Sequence, residues 1–184
     1  MANNVHTIIN TTSCACENID ALNHAGVYSA GDLDNGTLVT LVKMNVGATD
    51  GDIKGYEYEV KPADAGADNV FVVASPEVGY TLESQTYEDP RYFYNKAGEA
   101  MSIKGLIGGV DCIQITAPAF VGGALPAANT VGQFVAPAAG GKYAAPVSDA
   151  PASGAYFRVE GFTPITVGWE EVPSVVLRCM ANHH

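Results

Sequence analysis

Cysteine and histidine have the widest chemical range of any residues in this chain, so their spacing comes first. Cys14 and Cys16 form a Cys-x-Cys pair, with Cys112 and Cys179 far downstream and His6 and His24 to either side of the pair. A structural zinc site needs four ligands in a tetrahedron, and this local pair supplies only two. The spacing also differs from the Cys-x-x-Cys of zinc knuckles and thiol–disulfide motifs. His6, His24, His183 and His184 could in principle complete such a set, but nothing in their local context selects them. The residues read as reduced thiols, some of them buried, with no metal ligand and no cofactor assigned.

Other catalytic patterns are equally sparse. Ser75 in "VVASPEV" precedes a proline and lies outside any Gly-x-Ser-x-Gly elbow. Glu57 and Glu59 stand two apart on a predicted strand, so they share one solvated face rather than oppose each other across a cleft. "DLDNG" resembles a calcium loop only loosely, without the spaced acids and terminal Glu that an EF-hand uses. The pairs in "IGGV", "VGGA" and "AGGK" form no phosphate-cradling loop. No catalytic residue is assigned, and the expectation is a protein that adheres rather than catalyses.

Any such residues must be positioned by a β-rich scaffold. "GTLVTLVKM" (36–44), entered through the Asn35-Gly36 turn signal, reads as a strand. "YEYEVKP" (56–62) and "DCIQIT" (111–116) alternate with period two, and "NVFVVASP" (69–76) is a continuous apolar run. "VHTIIN", "GQFVAP", "AYFRVEGF", "TPITVGW" and "SVVLRCM" are further short strands between Gly and Pro. Helix signals reduce to one short candidate over residues 13–26, and Gly98 favours a turn in "DPRYFYNKAGEAMSIKGL". The expected fold is mainly β, a sandwich or barrel-like domain with long Ala/Gly/Pro-rich loops and at most one or two short helices. Residues 1–29 read as an N-terminal arm with a possible short helix, and residues 30–184 as the β-rich domain. Ten core positions are expected: Leu38, Val39, Leu41, Val70, Phe71, Val72, Ile113, Ile115, Phe157 and Val159. Neighbours on a strand face opposite ways, so Leu38 and Val39 can both be buried only if their strand is covered on both sides.

Composition narrows the function classes. The chain has 184 residues, 47% hydrophobic and only 16% charged, enough to build a packed core. Its net charge of −11 repels phosphate backbones and anionic membranes, so neither nucleic acid nor membrane is expected as a partner. No apolar run of about 18 residues is present, so no membrane-spanning helix is expected. The opening "MANNVHTIINTTSCAC" lacks a basic start and a long apolar run, and reads as synthesis in a cytosol without an export signal.

Three phrases carry a family resemblance: "DNGTLVTL", "NVFVVASPEVGY" and "FYNKAGEAMSIKGLIGGVDCIQITAPAF". Together they resemble small structural proteins of tailed-phage particles, the head decoration or cement proteins, over roughly residues 30 to 160. The resemblance implies a non-enzymatic virion protein, made in the host cytoplasm, that binds the outside of a phage capsid. The major capsid protein would be its partner, with copies of itself as a further one. The contacts expected are Val5, Thr7, Ile8 and Ile9 in an extended, uncharged arm able to add a strand to a partner's sheet. Phe134 and Tyr143 are expected as aromatic anchors in the Ala/Gly/Pro-rich stretch after Gly122. A stand-alone adhesive or carbohydrate-binding β-domain, using aromatics such as Tyr92, Tyr94 and Trp169, is the alternative, and a small hydrolase is a third reading.

Overall fold

A computed structural model describes residues 6–45, 57–77 and 89–182. Strands take 44% of the residues and helical turns 10%, well beyond a twofold excess of strand. Two five-stranded units share the work. β2 (Asn23–Val27), β3 (Leu38–Asn45), β4 (Glu57–Pro62), β5 (Phe71–Val73) and β6 (Ala100–Gly105) form a closed barrel in the order β2-β4-β3-β5-β6. β2 runs parallel to β4, and its antiparallel pairing with β6 closes the ring.

The second unit is an open antiparallel sheet. It is built from β1 (Ile9–Ser13), β7 (Cys112–Thr116), β8 (Phe134–Val135), β11 (Tyr156–Phe162) and β14 (Ser174–Ala181), in the order β1-β7-β14-β11-β8. Two small hairpins complete the described fold: β9 (Pro137–Ala138) with β10 (Lys142–Tyr143), and β12 (Ile165–Val167) with β13 (Glu170–Val172).

The hydrophobic pattern explains how the two units meet. Val39, Val60, Phe71, Val73, Met101 and Ile103 fill the barrel. Leu38, Val70 and Val72 point the other way and pack with Ile113, Ile115, Phe157, Val159 and Leu177 of the sheet. β3 and β5 are thus the wall between two cores, which is the two-sided burial that Leu38 next to Val39 demands. Nine of the ten expected core residues are buried. Leu41 is half-buried, because the β3–β4 register shifts between Leu41 and Lys43. A bulge there turns the strand, and Val42 and Met44 beyond it are exposed.

One part of the Ala/Gly/Pro-rich stretch, around Gly141, packs tightly. Gly141 donates its N–H to the Ala63 carbonyl at 2.9 Å. At φ +70°, with the Leu38 carbonyl oxygen 2.3 Å from where a Cβ would lie, position 141 admits only glycine. That close approach carries Tyr143 into the core, against Phe120 and Phe157. Small residues therefore let a loop lie directly on the barrel wall and deliver one large ring.

The first 29 residues depart from the expected arm. In its described part this segment is integral to the fold: β1 pairs with β7, and β2 is a stave of the barrel. In place of a helix over residues 13–26 there are two short 3-10 turns, Ala15–Asn18 and Asp20–Leu22, between those strands. Ile19 and Leu22 provide too narrow an apolar stripe to hold a helix against a core.

Candidate functional site

The Cys14-x-Cys16 pair acquires a third partner from far along the chain. Cys14 follows β1 in an extended conformation, and Cys16 lies in the turn after it. Asp111 immediately precedes β7, the strand that pairs with β1, so the sheet itself brings the segments together. The two sulfurs and an Asp111 carboxylate oxygen lie within 4.8 Å of one another, and all three residues are buried.

Backbone groups lock the carboxylate in place. Ala15 N–H donates to Asp111 Oδ1 at 2.6 Å, and Ile107 N–H donates to Oδ2 at 2.8 Å. The Cys14 thiol donates to the Cys112 carbonyl at 3.1 Å. A hydrogen bond with Cys14, then burial, then the Asp111 carboxylate hold the Cys16 thiol far above the usual thiol range. Burial, with Asp111 adding to it, pushes the Cys179 thiol up to about 12. None of the four cysteines is in a disulfide. With their pKa values raised, Cys16 and Cys179 are poor nucleophiles, because the reactive species is the thiolate.

The histidines serve elsewhere. His6 Nδ1 pairs with Asp34 Oδ1 at 2.7 Å, and the ring stacks on Tyr94. His24 lies against Tyr58 and Phe71 of the barrel. His183 and His184 lie outside the described residues. The Ser75 hydroxyl accepts the Ser102 N–H at 3.0 Å, tying the end of β5 to β6.

The second arrangement is on the surface. The β12–β13 hairpin turns through Gly168 and Trp169, and Trp169 is completely exposed (103%). The hairpin is braced at both ends. Glu170 bonds the Arg91 guanidinium, which also holds Asp89 at 2.6 Å. At the base, Gln114 Nε2 donates to the Thr163 carbonyl at 3.0 Å, and the Ser174 hydroxyl donates to the same oxygen. A groove of about 550 Å³ runs between this hairpin and the outer edge of β1. Its described ionisable groups are Glu17 and Lys104, which pair with each other, and Glu77. Burial raises the pKa of Glu77, partly offset by Asn35.

The expected contact residues fall in different places. Thr7 and Ile8 are buried, and Ile9 is half-buried in β1. Ile8 N–H donates to Thr116 Oγ1 at 2.9 Å, and the Ile8 carbonyl accepts the Thr116 N–H at 3.2 Å. Ile8 is thus tied to Thr116 and Ile9 lies in β1 paired with β7, so the segment is a strand of this sheet and not a free arm. Tyr143 is fully buried and cannot anchor a partner either. Phe134 is half-buried and stands edge-on to Tyr156 on the outer face of the sheet, where it is accessible. Val5 lies outside the described residues.

Comparison with models of known protein families, with curated proteins and with solved structures finds no match.

Sequence reasoning missed Asp111 as a partner of the thiols. Its only local signal was its place at the head of a strand beside Cys112. It named Trp169 only as one aromatic among several, because exposure of an indole depends on the hairpin that carries it.

Proposed function

We propose that this chain is a non-enzymatic structural protein of a phage particle that binds the outer capsid surface. The observation that carries the reading is Trp169, fully exposed at the tip of a braced hairpin. An indole in water forgoes a large burial free energy, and tryptophan is enriched among residues that dominate interfaces. The bracing by Arg91, Gln114 and Ser174 means that little conformational entropy is lost on docking. The outer edge of β1, facing the groove beside the hairpin, suits an extended partner segment. The N-terminal segment thus accepts a strand rather than donating one. The major capsid protein supplies that partner, and the acidic remainder of the surface keeps coated particles apart.

Copy number multiplies a modest contact into stable decoration. The test is co-sedimentation of the purified protein with undecorated capsids. Trp169→Ala should lower occupancy at least tenfold while the melting temperature stays unchanged. Full binding by the variant removes the hairpin from the interface, and no binding by the unmodified protein removes the function. A lone exposed indole also suits stacking on a sugar ring, so retention on a glycan array with no capsid binding would favour the carbohydrate-binding alternative.

A further inference from the structure

We propose that Cys14, Cys16 and Asp111 bind one divalent, thiophilic metal ion of the zinc class, with Cys179 completing the set. This stands apart from the capsid reading and uses none of its residues.

Asp111 is fully buried, and among the described residues no basic side chain pairs with it. A buried carboxylate is normally matched by a cation or a metal. Each of its oxygens accepts one backbone N–H, which fixes its orientation and leaves lone pairs for a further ligand bond. Two sulfurs lie within 4.8 Å of it and of each other. Donors around tetrahedral zinc are separated by roughly 3.3–3.8 Å given its bond lengths, so a small contraction of the side chains suffices. Sulfur ligands exclude calcium and magnesium, and a carboxylate beside thiolates suits zinc better than copper(I).

The fourth ligand comes from the same core. Cys179 is fully buried in the same core, and its backbone N–H donates to the Asp111 carbonyl at 2.8 Å; its sulfur stands outside the 4.8 Å group and turns toward it on binding. Tyr143 belongs to the same buried cluster as Cys14 and Cys179, and its hydroxyl has no hydrogen-bond partner among the described residues. Binding exchanges protons for metal: each coordinating thiol gives its proton to solvent and forms one metal–sulfur bond, with no change of oxidation state. The ion would pin the chain after β1 to the start of β7, joining segments about one hundred residues apart in sequence.

The test uses the full-length reduced protein under anaerobic conditions, titrated with Co²⁺ and then Zn²⁺. The expected result is a thiolate-to-cobalt charge-transfer band that saturates near about one equivalent per chain and is displaced by zinc. The band should vanish in Cys14→Ser/Cys16→Ser and weaken in Cys179→Ser. Asp111→Asn should weaken affinity at least tenfold. Cobalt held by histidines gives no such band, so binding without it counts against the site. Because substitutions in a core can prevent folding, the melting temperature of the unmodified protein is read with zinc and with EDTA. A rise with zinc that EDTA reverses is expected. No charge-transfer band, or a melting temperature indifferent to zinc, overturns the proposal.

Discussion

The barrel and the open sheet each use five strands, yet they solve the problem of edges differently. The barrel closes on itself through β2 and β6, so every stave has two neighbours. Its interior is filled by its own side chains, and Gly26 faces into it with almost no room to spare. Among the described residues the sheet ends in β1 and in β8, where Phe134 is bridged to Val147, and it takes the cover for its inner face from the barrel wall. Closure removes unpaired backbone, whereas an open sheet retains it. Both candidate sites accordingly lie on the sheet side: the thiol–carboxylate cluster where β1 meets β7, and the hairpin and groove beside the outer edge of β1.

The strongest way to break this contrast is to empty each core. Phe71→Ala in the barrel and Phe157→Ala in the sheet should each cost about 3–5 kcal/mol in urea unfolding. Because β3 and β5 are common to both cores, each variant should show one transition with coincident probes. Two separated transitions would mean that the units unfold independently.

A finer comparison uses two glycines in strands. A Cβ at Gly26 would meet Ile103 Cγ2 at 3.1 Å and Val60 Cγ1 at 3.2 Å, while a Cβ at Gly161 in β11 meets nothing within 4 Å. Gly26→Ala should therefore lose about 1–3 kcal/mol to overpacking. Gly161→Ala should change stability by less than about 0.5 kcal/mol, as surface substitutions do. Equal losses would contradict the difference in packing.

Tyr143 tests the sheet core by its chemistry. Its ring is enclosed by Phe120 and Phe157, but its hydroxyl has no partner among the described residues. Tyr143→Phe in metal-free protein should be neutral or stabilising by about 1 kcal/mol, since an unsatisfied buried hydroxyl is removed. A loss above about 1 kcal/mol would show that the hydroxyl is satisfied.

The smallest effect concerns Glu77 in the groove. Burial raises its folded pKa above the unfolded value, so the folded state holds the proton more tightly. The penalty for ionising it is absent below the unfolded pKa of about 4.3, grows as pH rises through the folded value, and is complete above it. Glu77→Gln should raise the melting temperature slightly at pH 7 and leave it unchanged below about pH 4. A gain equal at both values would assign the effect to something other than ionisation.

Local pattern determined a great deal. Asn35-Gly36 makes the turn into β3, with Thr37 N–H donating to the Asp34 carbonyl at 3.3 Å. The period-two alternation of β4 places Tyr58 and Val60 toward the barrel, with Glu59 outside and paired to Lys43 at 3.0 Å. The adjacency of Leu38 and Val39 even required a wall between two cores. All of these depend on neighbours a few residues apart, where sterics and face parity decide. Parity says which face a side chain takes, but not which strand or core will meet it. Only the tertiary structure decided that β2 closes a barrel with β6, that β1 joins the sheet instead of hanging free, and that Tyr143 is enclosed while Trp169 is bare. The same holds for Asp111 meeting Cys14 and Cys16: a contact between segments about one hundred residues apart has no local signature, because its free energy comes from the strand pairing and core packing that bring the segments together.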